Sequence, residues 1–263
     1  MLIDPLFGVV APELGWVPPP RFLLRRDRVL RLLSAPSLGK LVEVGCGSGS
    51  ILHELALKSD DAVGVETSAR ARVLATAIAH SGNGQQTIVE APDAGWLQDR
   101  ELVCAFDVLE HIEDDGAAIA EWSSWLAVGG KLCVSVPAHR RRWGAGDEWA
   151  GHWRRYDRGD IEALLASKGF SIEHIECYGF PLGNLSEWYG ERYYRRVLRE
   201  RRGEVNKADA TKESGVDRDY YLRKFRWLDS MPGRAFFRLA NAMQAVASRT
   251  DWGTGYLVLA RKA

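Results

Sequence analysis

The 263-residue chain has no net charge, with 35 Lys and Arg against 35 Asp and Glu. It offers a polyanion no global field. With no Asn-Pro-Pro-aromatic motif and no appended RNA-binding module, a nucleic-acid partner is not expected. Cysteine is scarce: Cys46, Cys104, Cys133 and Cys177 are the four, and none belongs to a CxxC pair. That argues against a zinc ribbon or a redox motif, and no metal is expected. Three of the four lie in apolar, strand-like runs, where a free Cys acts as a small core residue. No run of about 18 apolar residues is present to span a bilayer. The first residues, MLIDPLFGVVAPELG, contain an early Asp, two Pro and a Glu, unlike a signal peptide. A reduced, cytoplasmic setting follows as the expectation.

What is present is an alternation. Residues 40–44, 62–66, 86–90, 102–106 and 131–137 read as strands, and FSIEHIECYGF at 170–180 as a sixth. Between them lie amphipathic stretches: RFLLRRDRVLRLL from Arg21, SGSILHELALKS from Ser48, SARARVLATAIAHSG from Ser68, DDGAAIAEWSSWLAVGG with its glycine stop, and residues 157–168. Strands separated by helices imply βαβ units and an α/β fold, a mostly parallel sheet wound on both faces, with ligands beyond the carboxyl ends of the strands. Residues 181–250 break the alternation, and 253–262 return to a strand. The expected organisation is an N-terminal helical segment (1–39), a cofactor-binding α/β core (40–180), a helical insertion or cap (181–250) and a last core strand (251–263).

The stretch LVEVGCGSGS at 41–50 runs an apolar strand into Gly45, Cys46, Gly47, Ser48 and Gly49, and a helix follows. Glycines there permit unusual backbone angles and leave no Cβ to block a ligand. Glu66 closes the next strand, where a carboxylate can accept both hydroxyls of a ribose. A dinucleotide loop wants GxGxxG, and the third glycine position is Ser50. Glu43 also stands two residues before Gly45, where it would repel a pyrophosphate and suit an ammonium. Both features disfavour a nicotinamide oxidoreductase and favour S-adenosylmethionine, which has an amino-acid tail and no phosphate.

EVGCGSG at 43–49 resembles the first motif of class I S-adenosylmethionine-dependent methyltransferases, and the likeness continues. Asp93-Ala94, DVLEHIEDD at 107–115 and GGKLCVSVP at 129–137 are similar to later motifs, and GHWRRYDRGDIEALLASKGF at 151–170 to a stretch of a small-molecule branch. The resemblance spans roughly residues 40–180. It implies a doubly wound, mostly parallel seven-stranded Rossmann-like sheet with a reversed last strand, the helical insertion preceding it. It also implies that Glu43, Gly45, Cys46, Gly47 and Gly49 contact the methionine part, that Glu66 holds the ribose, that Asp93 and Ala94 meet the adenine, and that Asp107, Val108 and Leu109 flank the sulfonium. Arg100-Glu101 departs from the family's pattern at the start of strand four, so Glu101 is expected to be structural.

The resemblance further implies methyl transfer to a small or medium acceptor, which is mostly positioning and exclusion of water. The expected acceptor atom is oxygen, with a histidine removing its proton. His111 and His152 are the two candidates, His152 beside Arg155 and Tyr156. A nitrogen acceptor, a lipid-linked or glycan acceptor, and a non-catalytic methyltransferase-like binding protein remain alternatives. Residues 191–202 hold six Arg and two Glu among aromatics, and YYLRKFRWL at 220–228 repeats the mixture. This insertion reads first as an acceptor cap, then as a helical subdomain with solvated Arg faces that could meet a second copy, and third as a peripheral membrane contact through 191–228.

Overall fold

The computed structural model describes residues 1–82, 85–200 and 219–263. The polar segment 206–215, expected to be a mobile loop, lies outside the described residues. The chain opens with a hairpin, β1 (Leu2–Asp4) and β2 (Gly8–Val10), followed by α1 (Pro20–Leu32). The main alternation is β3 (Gly39–Val44), α2 (Ser50–Ala56), β4 (Ser59–Val65), α3 (Ala69–Ser81), β5 (Gln86–Val89), β6 (Arg100–Phe106), α4 (Asp115–Trp125) and β7 (Leu126–Pro137). Then come α5 (Ala145–Ala150), α6 (Arg158–Ser167), β8 (Phe170–Tyr178), α7 (Leu182–Glu200), α8 (Asp219–Leu228), α9 (Met231–Ala247) and β9 (Gly255–Lys262).

Seven strands form one sheet in the order β5-β4-β3-β6-β7-β9-β8. The first five pair in parallel, and β9 runs antiparallel to both β7 and β8. Both faces are covered, so strand residues are apolar in either direction. Val42, Val103, Val134 and Val258 pack with Ile119, Trp122, Ile161 and Leu165 on one side. Leu41, Cys104, Cys133 and Leu257 pack with Ile51, Leu52 and Leu55 on the other. The four cysteines are free and buried. Winding reverses between β3 and β6, which places a crevice beyond their carboxyl ends. No helix among the described residues is long and apolar enough to cross a membrane.

Two boundaries differ from the sequence reading. The fifth core strand begins at Leu126, not at residue 131, and α4 ends at Trp125. Gly129, at φ +75°, sits inside the strand rather than stopping a helix. The N-terminal hairpin was not anticipated. Its Phe7 packs with Leu23, Phe225 and Phe237, joining the first segment to the helices after residue 219.

Part of the arginine side of α1 is turned away from water, although Arg21 and Arg31 are exposed. Arg26 forks onto Glu54 of α2, with Nε 2.6 Å from Oε1, and donates to the Leu6 carbonyl at 3.1 Å. Arg28 binds both oxygens of Glu176 at 2.7 Å. These pairs fasten α1 to the core. Breaking a buried pair leaves an uncompensated charge at about 3–5 kcal/mol, whereas removing both partners costs less. Urea unfolding of Arg26→Ala is therefore expected to show a loss of that size, partly restored in Arg26→Ala/Glu54→Leu. Equal losses in the single and double variants would contradict a desolvated pair.

Candidate active site

The β3–α2 turn is built on left-handed backbone: Gly45, Gly47 and Gly49 have φ of +62°, +55° and +69°. A side chain is strained at each. Their surroundings differ. A Cβ at Gly47 would meet open space, so there the bare backbone faces the cavity. A Cβ at Gly45 would approach Val108 Cγ2 within 2.6 Å, and one at Gly49 would lie 3.1 Å from Ala75 Cβ. Gly49 therefore packs α2 against α3 and lies off the cavity wall. Glu66 fixes the turn, since its Oε2 accepts from Gly47 N at 2.9 Å and its Oε1 from Ser68 N at 2.7 Å.

A cavity of about 1460 Å³ opens above this edge. Its floor holds Glu43, Gly45 to Ser48, Glu66, Asp107 and Val108. One wall is the start of α1, with Arg21, Phe22 and Arg25. The roof comes from α5 and α7, where Trp149 stacks on Tyr194 with ring centres 4.5 Å apart. Glu110, His111, His152, Arg155 and Asp147 line it as well.

The charges in this cavity are arranged pairwise. Glu43 is 3% exposed, and its Oε2 has no hydrogen-bond partner among the described residues. Burial pushes its carboxyl up to about 8, the Arg25 guanidinium opposing the rise and Glu66 adding to it. Asp107 lies at the end of β6 with φ +55°, a left-handed angle that Asp tolerates. Burial pushes its carboxyl up, but the ion pair with Arg25 and the Ser135 hydroxyl at 2.8 Å hold it below the usual carboxylate value. Burial raises Glu110 well above its ordinary value, and Asp107 adds to this. Burial and the nearby His152 lower His111 to about 4, so its imidazole is neutral.

His152 and Arg155 meet the same carboxylate. His152 Nδ1 lies 2.9 Å and Arg155 Nε 2.8 Å from Asp147 Oδ1, and Arg155 Nη1 also reaches Glu187 at 2.7 Å. The His111 and His152 rings meet edge to face, 4.6 Å between centres.

Several sequence expectations move. Tyr156 is buried in the core and donates to Asp115 Oδ2 at 2.9 Å, so it is removed from the catalytic set. Its strand-like bridge to Ala138 turns consecutive side chains to opposite sides, Arg155 toward the cavity and Tyr156 away. Leu109 is fully buried in the core and does not line the cavity. Asp93 and Ala94 are exposed and off the cavity wall, and Asp93 accepts instead from Gly95 N at 2.7 Å. Glu101 accepts from Lys40 N at 2.6 Å, away from the cavity. Arg25 and Asp147 were missed. The excess of arginine at 21–31 was the only signal for the first, and nothing local marked the second.

A family model described as a methyltransferase domain matches residues 21–175, more than half of the chain. The chain belongs to the methyltransferase-domain family. The ubiquinone biosynthesis O-methyltransferase of Psychrobacter cryohalolentis is 30% identical over 107 residues. That match takes in 38% of this chain and 41% of the relative, so the chain spans less than half the length of that relative. A candidate methyltransferase of Bacillus halodurans C-125 superposes with a TM-score of 0.58 at 15% identity, covering 90% of this chain and 98% of the other. The N-methyltransferase NodS of Bradyrhizobium japonicum gives 0.51 at 15% identity, covering 90% and 85%. These two likenesses establish the Rossmann-like fold.

The methyl donor of the family is S-adenosylmethionine. The residues of this methyltransferase domain fit it. The unpartnered buried oxygen of Glu43 suits an ammonium, Arg25 offers a cation to a carboxylate, and the Gly47 backbone is open to close approach. Glu66 keeps lone pairs for ribose hydroxyls beside its two amide contacts.

Glu43 carries a testable consequence. Its folded-state value near 8 lies above the ordinary carboxyl value of 4.5. Between those pH values the folded protein holds a proton that the unfolded chain releases, so stability falls as pH rises across the window. The empty Glu43→Gln variant should gain in melting temperature over the parent between pH 5 and pH 9. An offset that is the same at both pH values would contradict the shift.

Proposed function

We propose that the chain transfers a methyl group from S-adenosylmethionine to the oxygen of a small or medium-sized acceptor. The observation that carries this reading is one cavity lined by two chemically different groups of side chains. Glu43, Arg25, Glu66 and the Gly45–Ser48 backbone suit the donor. Glu110, His111 and His152 form a cluster able to act on a hydroxyl. Bound S-adenosylmethionine would supply an already activated methyl on a sulfonium. The chain's own work is therefore orientation, exclusion of water and removal of the acceptor's proton. Asp147 orients His152 through Nδ1, leaving Nε2 for the acceptor side. The stacked Trp149–Tyr194 pair, with Trp143 and Trp188, offers apolar area to a planar or hydrophobic acceptor.

A second reading, a lipid-linked acceptor, draws support from α9. Its outward side carries Met231, Phe236, Leu239, Met243 and Val246, all exposed, with Arg238 and no acid on that side.

The test is product formation with paired aromatic hydroxyl and amine compounds, with S-adenosylmethionine in excess. Hydroxyl members should react preferentially. His152→Ala should lower the rate about 10²–10⁴-fold, the range for a lost proton-transfer group, with S-adenosylhomocysteine affinity within about threefold. Reaction confined to amines, or a full rate in the variant, would contradict the oxygen reading. Reaction only when the hydroxyl compound is presented on anionic vesicles would favour the second.

A further inference from the structure

The cavity holds a set of atoms that proton transfer alone does not need. Glu110, His111 and His152 each bring one ligand atom within 4.8 Å of the other two. Glu110 is 1% exposed, and its Oε2 has no hydrogen-bond partner among the described residues. A carboxylate oxygen left so is unfavourable unless a positive group meets it.

The surroundings hold these side chains in place. Trp153 N donates to the Glu110 carbonyl at 2.7 Å, which joins the two segments, and His111 N to the Val108 carbonyl at 3.0 Å, which closes its own turn. Asp147 takes Nδ1 of His152 at 2.9 Å, and Arg155 grips Asp147 at 2.8 and 2.9 Å. A carboxylate on one ring nitrogen is the usual outer support of a metal-bound imidazole, since it fixes the tautomer and frees the other nitrogen. Two imidazoles and one carboxylate make the donor set of catalytic zinc sites and of mononuclear iron(II) sites, which keep further positions open. Ligand atoms on a tetrahedral zinc lie about 3.4 Å apart. The present spread, up to 4.8 Å, must therefore contract on binding.

We propose that Glu110, His111 and His152 bind one divalent transition-metal cation of the zinc type, with an open position for the acceptor's hydroxyl oxygen. The proposal rests on reading the cavity as a methyl-transfer site, and it replaces the expectation of no metal. The ligated hydroxyl loses its proton to cavity water and keeps the electron pair on oxygen, ready to attack a methyl carbon. With the metal bound, His152 assists deprotonation as a ligand, and the fall in rate expected of His152→Ala is then a loss of the metal that acidifies the hydroxyl. Asp147 is a positioning residue that acts through His152.

The test uses the full chain, stripped with a chelator, dialysed and titrated with Co²⁺, whose visible bands report nitrogen and oxygen ligation. One equivalent should bind at micromolar concentration and be displaced by Zn²⁺. Affinity should fall about 10–100-fold in Asp147→Asn and be lost in His152→Ala. It should persist in His139→Gln, which alters the separate His139–Cys177–Asp251 group. Thermal unfolding is followed in parallel, with His152→Gln as substitute should His152→Ala unfold. No binding below millimolar, binding indifferent to residue 152, or binding lost in His139→Gln would each overturn the proposal. S-adenosylhomocysteine is titrated into the same samples. If it binds where cobalt does not, the metal fails and the methyl-transfer reading stands. If cobalt binds alone, the reverse holds.

Discussion

Two hydrogen bonds accepted by one carboxylate organise the glycine-turn edge of this protein. Glu66 ends one strand and accepts from Gly47 in the neighbouring turn and from Ser68 at the start of the next helix. It thereby ties two adjacent strand-to-helix turns at a fixed separation. The left-handed glycine turn is expensive in backbone entropy and would be free to open without such a tie. Everything that lines the cavity floor is positioned against that fixed edge. Val108 fills the space above Gly45, and Asp107 is held by Ser135 and Arg25.

The same edge explains the electrostatics. A cavity rich in carboxylates would normally be self-repelling, yet each acid here is answered differently. Arg25 lies beside Asp107, Arg155 beside Asp147 and Glu187, and Glu66 is answered by backbone amides. Among the described residues Glu43 and Glu110 each keep an oxygen with no hydrogen-bond partner, as does Glu187, whose oxygen is instead ion-paired with Arg155. Unmet polar atoms in a buried site mark where something else is meant to bind.

Much of the fold was legible because a parallel sheet buried on both faces writes its strands as short apolar runs. Residues 40–44 and 102–106 are examples, and the glycine turn and Glu66 follow from what a nucleoside-bearing ligand requires. The misreadings have physical causes. Gly129 and Gly130 look like a helix stop, but the chain passes straight from α4 into a strand, and a left-handed glycine within β7 is invisible to periodicity. Residues adjacent in sequence were assigned one role together, although an extended segment sends Arg155 and Tyr156 to opposite sides, and a tight turn sends Leu109 to the core. The partners of α1's arginines are up to 148 residues away, so a helix that reads as solvated on one side is in fact ion-paired there.

The claim on which the rest stands is that the Glu66-tied glycine turn receives S-adenosylmethionine and not a dinucleotide. Calorimetric titration of the purified chain with S-adenosylhomocysteine and, separately, with NAD tests it most directly, repeated on Glu66→Ala. Micromolar binding of the first, abolished by the substitution and absent for NAD, is the predicted result. Binding of NAD in preference, or S-adenosylhomocysteine affinity unaffected by the loss of Glu66, would contradict the account.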